Sequence, residues 1–126
     1  MFNYRNEAAF SKAVCSHLRA QHFFVQRIET GSTGRGVPDI FAISPLGEPM
    51  WLELKRVHKK CTRFVCVPWR PGQQAWLHEV NTVYRVTCKT LVAMDDCIIC
   101  VSHNIIHKND IIDTQKYPLI CTIKDL

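Results

Sequence analysis

The feature that most limits how this chain can fold is a pair of short apolar runs on either side of a loop holding Pro45 and Gly47. Runs of this length, rich in Ile, Phe, Trp and Leu and broken by Pro and Gly, predict a β-hairpin with strands near 38–44 and 50–56. Yet Asp39 opens the first run, and Glu53 and Lys55 sit inside the second. If Pro45-Leu46-Gly47 form a three-residue loop, Ser44 pairs with Glu48 and Asp39 falls opposite Glu53. A two-residue turn would set Asp39 opposite Leu54 instead. Opposed residues share a face with Cβ atoms about 5 Å apart, so two carboxylates there repel. A divalent cation reverses that sign, because it takes two or more carboxylate oxygens.

Alternation puts Trp51, Glu53 and Lys55 on one face and leaves Met50, Leu52 and Leu54 on the other, with the two leucines on the core. Lys55 then lies about 7 Å along the strand from Glu53. From there it can reach a water or a phosphate oxygen held at a metal.

Residues 5–22 read as an amphipathic helix. Phe10, Val14 and Leu18 recur every fourth residue, and Asn6 is suited to cap the first turn. Glu7 lies three residues before Phe10, on the same stripe, which points it toward the edge of the core as well as marking it as an ordinary first-turn acid. Residues 23–29 predict a strand, followed by the loop TGSTGRG. Residues 57–71 read as a basic loop. A second helix is expected after Pro71-Gly72, with Gln73, Trp76, Leu77, Val80 and Tyr84 on its inner face. Gln73 is either a helix-start residue or a site residue. Strands are expected near 89–94 and 97–102, and the residues from about 104 onward have no clear pattern. The succession predicts one α/β domain over residues 1–126, with a central mixed β-sheet flanked by helices.

The chain has 126 residues, 47% of them hydrophobic, and a net charge of +5. That is enough to bury a core, and the basic balance fits a nucleic-acid partner. No apolar run approaches membrane-spanning length, and the polar N-terminus with Glu7 does not resemble a signal peptide. The expectation is a soluble cytoplasmic protein, encoded by a bacterium or a phage. Seven cysteines, an odd count, argue against a full disulfide framework. Cys97 and Cys100 have CxxC spacing, and Cys88, His103 and His107 are conceivable zinc partners, but the pair falls in an apolar strand-like run, so buried small hydrophobes are the expected role.

Pro38-Asp39 followed by Glu53-Leu54-Lys55 resembles the PD-(D/E)XK nuclease signature. The upstream Glu7, a strand with Arg27, the GSTGRGVPDI loop and the downstream helix occur in the same order. The arrangement is similar to the Holliday-junction-resolvase branch of that superfamily. It is also similar to VRR-type nuclease domains, in which a Q-x-x-W-L helix follows the ExK strand, as Gln73 to Leu77 do here. The resemblance covers about residues 5–85. It implies a restriction-endonuclease-like fold with an α-β-β-β-α-β core. It also implies phosphodiester hydrolysis with Mg2+ or Mn2+ held by Asp39, Glu53 and the backbone carbonyl of Leu54. Glu7 would support the metal directly or through water, Lys55 would handle the nucleophile, and Gln73 would help position Lys55 or the phosphate. Ser32 and Thr33 would touch a phosphate near the scissile bond.

Arg27, Arg35, Arg56, Lys59, Lys60, Arg63 and Arg70, with His58, are the expected DNA-phosphate contacts. A basic loop can also be only a solubilising surface. Trp69 is either a base-stacking platform or a packing residue. The implied substrate is branched DNA, such as a four-way junction or flap, cut by a homodimer with two active sites. A restriction-type or single-strand-specific nuclease and a non-catalytic DNA-binding module are the alternatives.

Overall fold

The structure is a computed structural model, and residues 4–28 and 36–120 are described. Helix α1 spans Glu7–Ala20. Asn6 caps it as expected, its Oδ1 accepting from the Ala9 N–H at 2.8 Å. Phe10, Val14, Cys15 and Leu18 are all buried, so the apolar stripe is the packed face. The strands are β1 (Phe24–Arg27), β2 (Ile40–Ile43), β3 (Pro49–Arg56), β4 (Phe64–Cys66), β5 (Thr87–Ala93), β6 (Ile98–Ser102), β7 (Ile111–Asp113) and β8 (Leu119–Ile120). Helix α2 spans Gln73–Thr82.

Six of these strands form one sheet in the order β1-β2-β3-β5-β6-β8. Strand β3 pairs with β5 in parallel, and every other neighbour in the sheet is antiparallel. A parallel neighbour needs a long crossover, and here the segment carrying β4 and α2 supplies it. Alternation then sorts the apolar side chains into two layers. Leu52, Leu54, Leu91, Ala93 and Ile98 face α1, joined by Val25, Ile40 and Ala42. Val92, Met94, Ile99 and Val101 face the other way, onto Val65, Val67, Trp69 and Ile112. Each buried aliphatic side chain contributes about 2 kcal/mol, so both layers matter to stability.

The β2–β3 turn has the three-residue form. The Ser44 N–H donates to the Glu48 carbonyl at 2.9 Å, and Gly47 adopts φ 84 between them, a left-handed conformation that glycine accepts freely. Ile43 pairs with Pro49 and Ile40 with Leu52. The same count, extended one residue, sets Asp39 opposite Glu53.

Several boundaries and one element differ from expectation. Residues 64–66 form β4 inside the supposed basic loop, because their antiparallel partner β7 lies far along the chain and supplies the ladder. Residues from 104 onward, unassigned from sequence, hold two short 3-10 turns, β7 and β8. Tyr84 lies past the end of α2 and is exposed, not on its inner face. Among the described residues no helix is long and apolar enough to cross a membrane.

Candidate active site

The side of the sheet where β2 begins is where the charged residues of the hairpin gather. Asp39 stands just before β2, half-buried, and its Oδ2 accepts from the Leu54 N–H at 3.0 Å. A strand residue presents its N–H and C=O to the same side. The Leu54 carbonyl therefore points to the edge that Asp39 occupies. Glu7 from the first turn of α1 and Arg27 from the end of β1 reach the same place. They line a cavity of about 130 Å3 together with Asp39, Leu54, Ala8, Ser11 and Ile28. Glu7 is solvent-exposed in that position, more so than its place on the apolar stripe suggested.

Glu53 is the buried member, only 1% exposed. Its Oε2 receives two donors, Lys55 Nζ at 3.1 Å and Gln73 Nε2 at 3.0 Å. Its Oε1 is buried with no partner. Burial pushes the Glu53 carboxyl up to about 7, and the charge of Asp39 adds to the rise; Lys55 and Gln73 pull the other way. A buried carboxylate that leaves one oxygen bare and faces a second carboxylate costs free energy. The donor set fits a divalent cation: two carboxylates and one backbone carbonyl, all hard oxygen ligands, converge on the edge. Glu7 lines the same cavity, but no three His, Cys, Asp or Glu side chains among the described residues stand together as a metal-holding group. Asp39, Glu53 and the Leu54 carbonyl could hold such an ion, with Glu7 lining the cavity beside Asp39 and Leu54.

Lys55 is buried as well, 5% exposed and ion-paired to Glu53. Gln73, fully buried, accepts from the Arg70 backbone N–H at 2.8 Å and gives its NH2 group to Glu53. It therefore orients Glu53, where the sequence suggested Lys55 or a phosphate as its target. The close approach of the 36–39 segment to α2 helps to place it. A Cβ on Gly36 would lie 2.7 Å from the Gly72 carbonyl oxygen and 2.9 Å from Trp76 Cβ.

The basic residues divide. His58, Lys59, Lys60 and Arg70 are exposed. Arg63 is exposed too, over the Phe64 ring and paired with Asp113 at 3.3 Å. Arg56 does not belong to that surface. It is buried on the α1 face of β3, where its guanidinium donates to the Tyr4, Val57 and Ala93 carbonyls and to Asp95 Oδ1 at 2.8 Å. Ser32, Thr33 and Arg35 lie outside the described residues. Trp69 is a packing residue: it is buried, and its Nε1–H donates to Thr90 Oγ1 at 3.1 Å. Cys97 packs in the layer of Val92 and Ile99, whereas Cys100 packs against the α1 layer, so the CxxC pair faces opposite sides of the sheet and cannot chelate one ion.

Sequence reasoning missed Thr90 and His103, buried polar residues bonded to each other at 2.7 Å on the Glu53 face. An isolated Thr within TCKTLVA carries no signal of this kind, because its partners Trp69 and His103 come from two other segments.

No family model and no curated sequence matches the chain. A solved structure does: Hjc, a Holliday junction resolvase from the archaeal hyperthermophile Archaeoglobus fulgidus, is 14% identical, with a TM-score of 0.66 over 90% of this chain and 93% of that one. The two share their fold, a mixed central sheet with helices, restriction-endonuclease-like in architecture.

Proposed function

We propose that residues 1–126 act as one nuclease domain, a divalent-metal-dependent DNA endonuclease that hydrolyses phosphodiester bonds in branched DNA such as four-way junctions. The observation that carries this reading is Glu53: a buried carboxylate with one bare oxygen, set across the hairpin from Asp39 and beside the Leu54 carbonyl. The shared fold with a resolvase supports it, as does the net charge of +5.

Asp39, Glu53 and the Leu54 carbonyl would hold Mg2+ or Mn2+, which when bound lowers the pKa of a water and neutralises phosphate oxygens. Gln73 and Lys55 both engage Oε2 of Glu53 and leave Oε1 without a partner inside the protein. The Lys55 ammonium is positioned to orient the attacking water and to offset the negative charge that grows on the phosphoryl oxygens. The water oxygen would bond to phosphorus and give up a proton to solvent, while the bridging oxygen leaves with its electron pair and takes up a proton from solvent. Arg27 at the cavity, and Lys59, Lys60, Arg63 and Arg70 on the surface, would hold the phosphates on either side.

A four-way junction is cut symmetrically, and one chain carries one such site, so a homodimer is part of the reading. Phe64, Ile105, Ile106 and Ile111 are exposed along one groove and give it an apolar surface to pair through.

The experiment is cleavage of supercoiled plasmid, linear duplex, single strands and a synthetic four-way junction with Mg2+, Mn2+ or EDTA. The junction is cut fastest, EDTA abolishes cutting, and Glu53→Ala loses at least about a hundredfold in rate. Cutting by Glu53→Ala at the wild-type rate would sink the assignment. Preference for single strands or duplex would move the substrate to the restriction-type or single-strand-specific class.

A further inference from the structure

We propose that Thr90 is a positioning residue for the active-site carboxylate Glu53, acting through Trp69, Arg70 and Gln73. This rests on the metal-site reading of Glu53 given above.

The geometry forms a closed circuit. Glu53 and Thr90 are direct neighbours in the parallel pairing of β3 with β5. The Thr90 Oγ1 accepts the Trp69 Nε1–H at 3.1 Å and lies 2.7 Å from His103 Nε2. The Trp69 ring is stacked on His107, 5.6 Å between centroids and 12° between planes, and meets His103 edge-on. With its ring held on three sides, Trp69 fixes the next residue. The Arg70 N–H donates to Gln73 Oε1 at 2.8 Å, and the Arg70 carbonyl accepts from the Gln73 N–H at 3.0 Å. That donor decides which way the Gln73 amide faces. Its oxygen is taken by a backbone N–H, so its NH2 must turn to Glu53 Oε2. One strand, β5, thus anchors both ends of the circuit, through the sheet at Glu53 and through a hydroxyl at Trp69.

The hydroxyl can do this because it has two roles to fill. It accepts from Trp69 and also bonds the Nε2 of His103. Burial, with the charges of His107, Lys89 and His78 adding to it, pushes His103 down to about 3, so the ring stays neutral. A hydroxyl-free residue of the same shape would leave Trp69 Nε1 and His103 Nε2 without partners inside the protein. The ring would then be free to shift, and the Arg70 N–H would move with it. Glu53 would lose the donor that sets its rotation, although no residue touching the cation had changed.

The test is calorimetric titration of Mn2+ into the full chain for wild type, Thr90→Val and Thr90→Ser, with far-UV circular dichroism recorded on each. Thr90→Val is expected to bind Mn2+ about tenfold more weakly at unchanged secondary structure, the size of effect typical for partners of metal ligands. Thr90→Ser, which restores the hydroxyl, is expected to stay close to wild type. If Thr90→Val binds as tightly as wild type, or if Thr90→Ser is as weak as Thr90→Val, the positioning role is overturned. If wild type itself binds no Mn2+, the metal-site reading falls first and takes this inference with it. Should Thr90→Val fail to fold, Trp69→Phe deletes the same hydrogen bond from its other end and carries the same two outcomes.

Discussion

At the scale of single residues, Glu53 concentrates the tension of the site. Its carboxyl is raised from an ordinary value of 4.5 to about 7, first by burial and then by Asp39. The unfolded chain releases that proton at lower pH than the folded one. The contribution of Glu53 to stability is therefore fully present below about 4.5 and is lost as pH rises through about 7. Glu53→Gln cannot ionise and escapes this loss. In metal-free protein, the stability of Glu53→Gln relative to wild type should grow by up to about 3 kcal/mol between pH 4.5 and 8, as measured by denaturant unfolding in EDTA. A relative stability that stays flat over this range would mean that Glu53 is not held as described. The opposition of the two carboxylates was one of two registers that the spacing allowed, and the three-residue turn decides it. That Glu53 would be oriented by Gln73 was not legible, since a long amide on a helix can turn to any of several neighbours.

At the scale of elements, the site depends on how closely the hairpin approaches α2. Gly36 has φ 86, and any side chain there would press on the backbone of Gly72 and on Trp76. Both contacts are with backbone or Cβ atoms, which cannot swing aside. Gly36→Ala should destabilise the fold by about 1–3 kcal/mol through strain and overpacking. It should also weaken Mn2+ binding in the fraction that remains folded, because α2 carries Gln73. Calorimetry at a temperature well below the melting transition separates the two effects. Wild-type stability in this variant would show that the two segments are free to part. Helix α1 and the β2–β3 hairpin were legible because an apolar stripe, a capping Asn and a glycine turn all agree locally. Strand β4 was not, because three residues, Phe64–Cys66, become a strand only when β7 arrives from 45 or more residues away.

At the scale of the whole molecule, the two faces of the sheet have different roles. The α1 face is an apolar core with the buried Arg56 at the end of β3. The other face holds the ion pair of Glu53 and Lys55 beside Trp69, Thr90 and His103, and the β4–β7 ribbon closes over its far end. That ribbon carries Phe64 and Ile111 outward, with Ile105 and Ile106 beside them, all between 44% and 57% exposed. On the proposed reading, in which a junction is cut on two strands, this apolar groove is the expected pairing surface. Wild type should therefore sediment as a dimer at micromolar concentration. Phe64→Asp combined with Ile106→Asp should sediment as a monomer that still binds Mn2+ but nicks a junction on one strand at a time. Dimeric sedimentation of the double variant would move the interface elsewhere.

The sequence by itself determined the hairpin, the packed stripe of α1, the order of Glu7, Asp39, Glu53, Lys55 and Gln73, and the α/β class. Each of these follows from spacing within about twenty residues, where backbone geometry leaves few choices. Tertiary structure alone decided that Arg56 turns inward to Asp95, that Trp69 packs instead of stacking on a base, and that Cys97 and Cys100 part to opposite faces. It also decided that Ile112 and Tyr117 complete the second layer. The physical reason is common to all four. An amphipathic or apolar side chain is satisfied by whichever partner the fold brings within reach, and those partners come from segments that no local pattern connects.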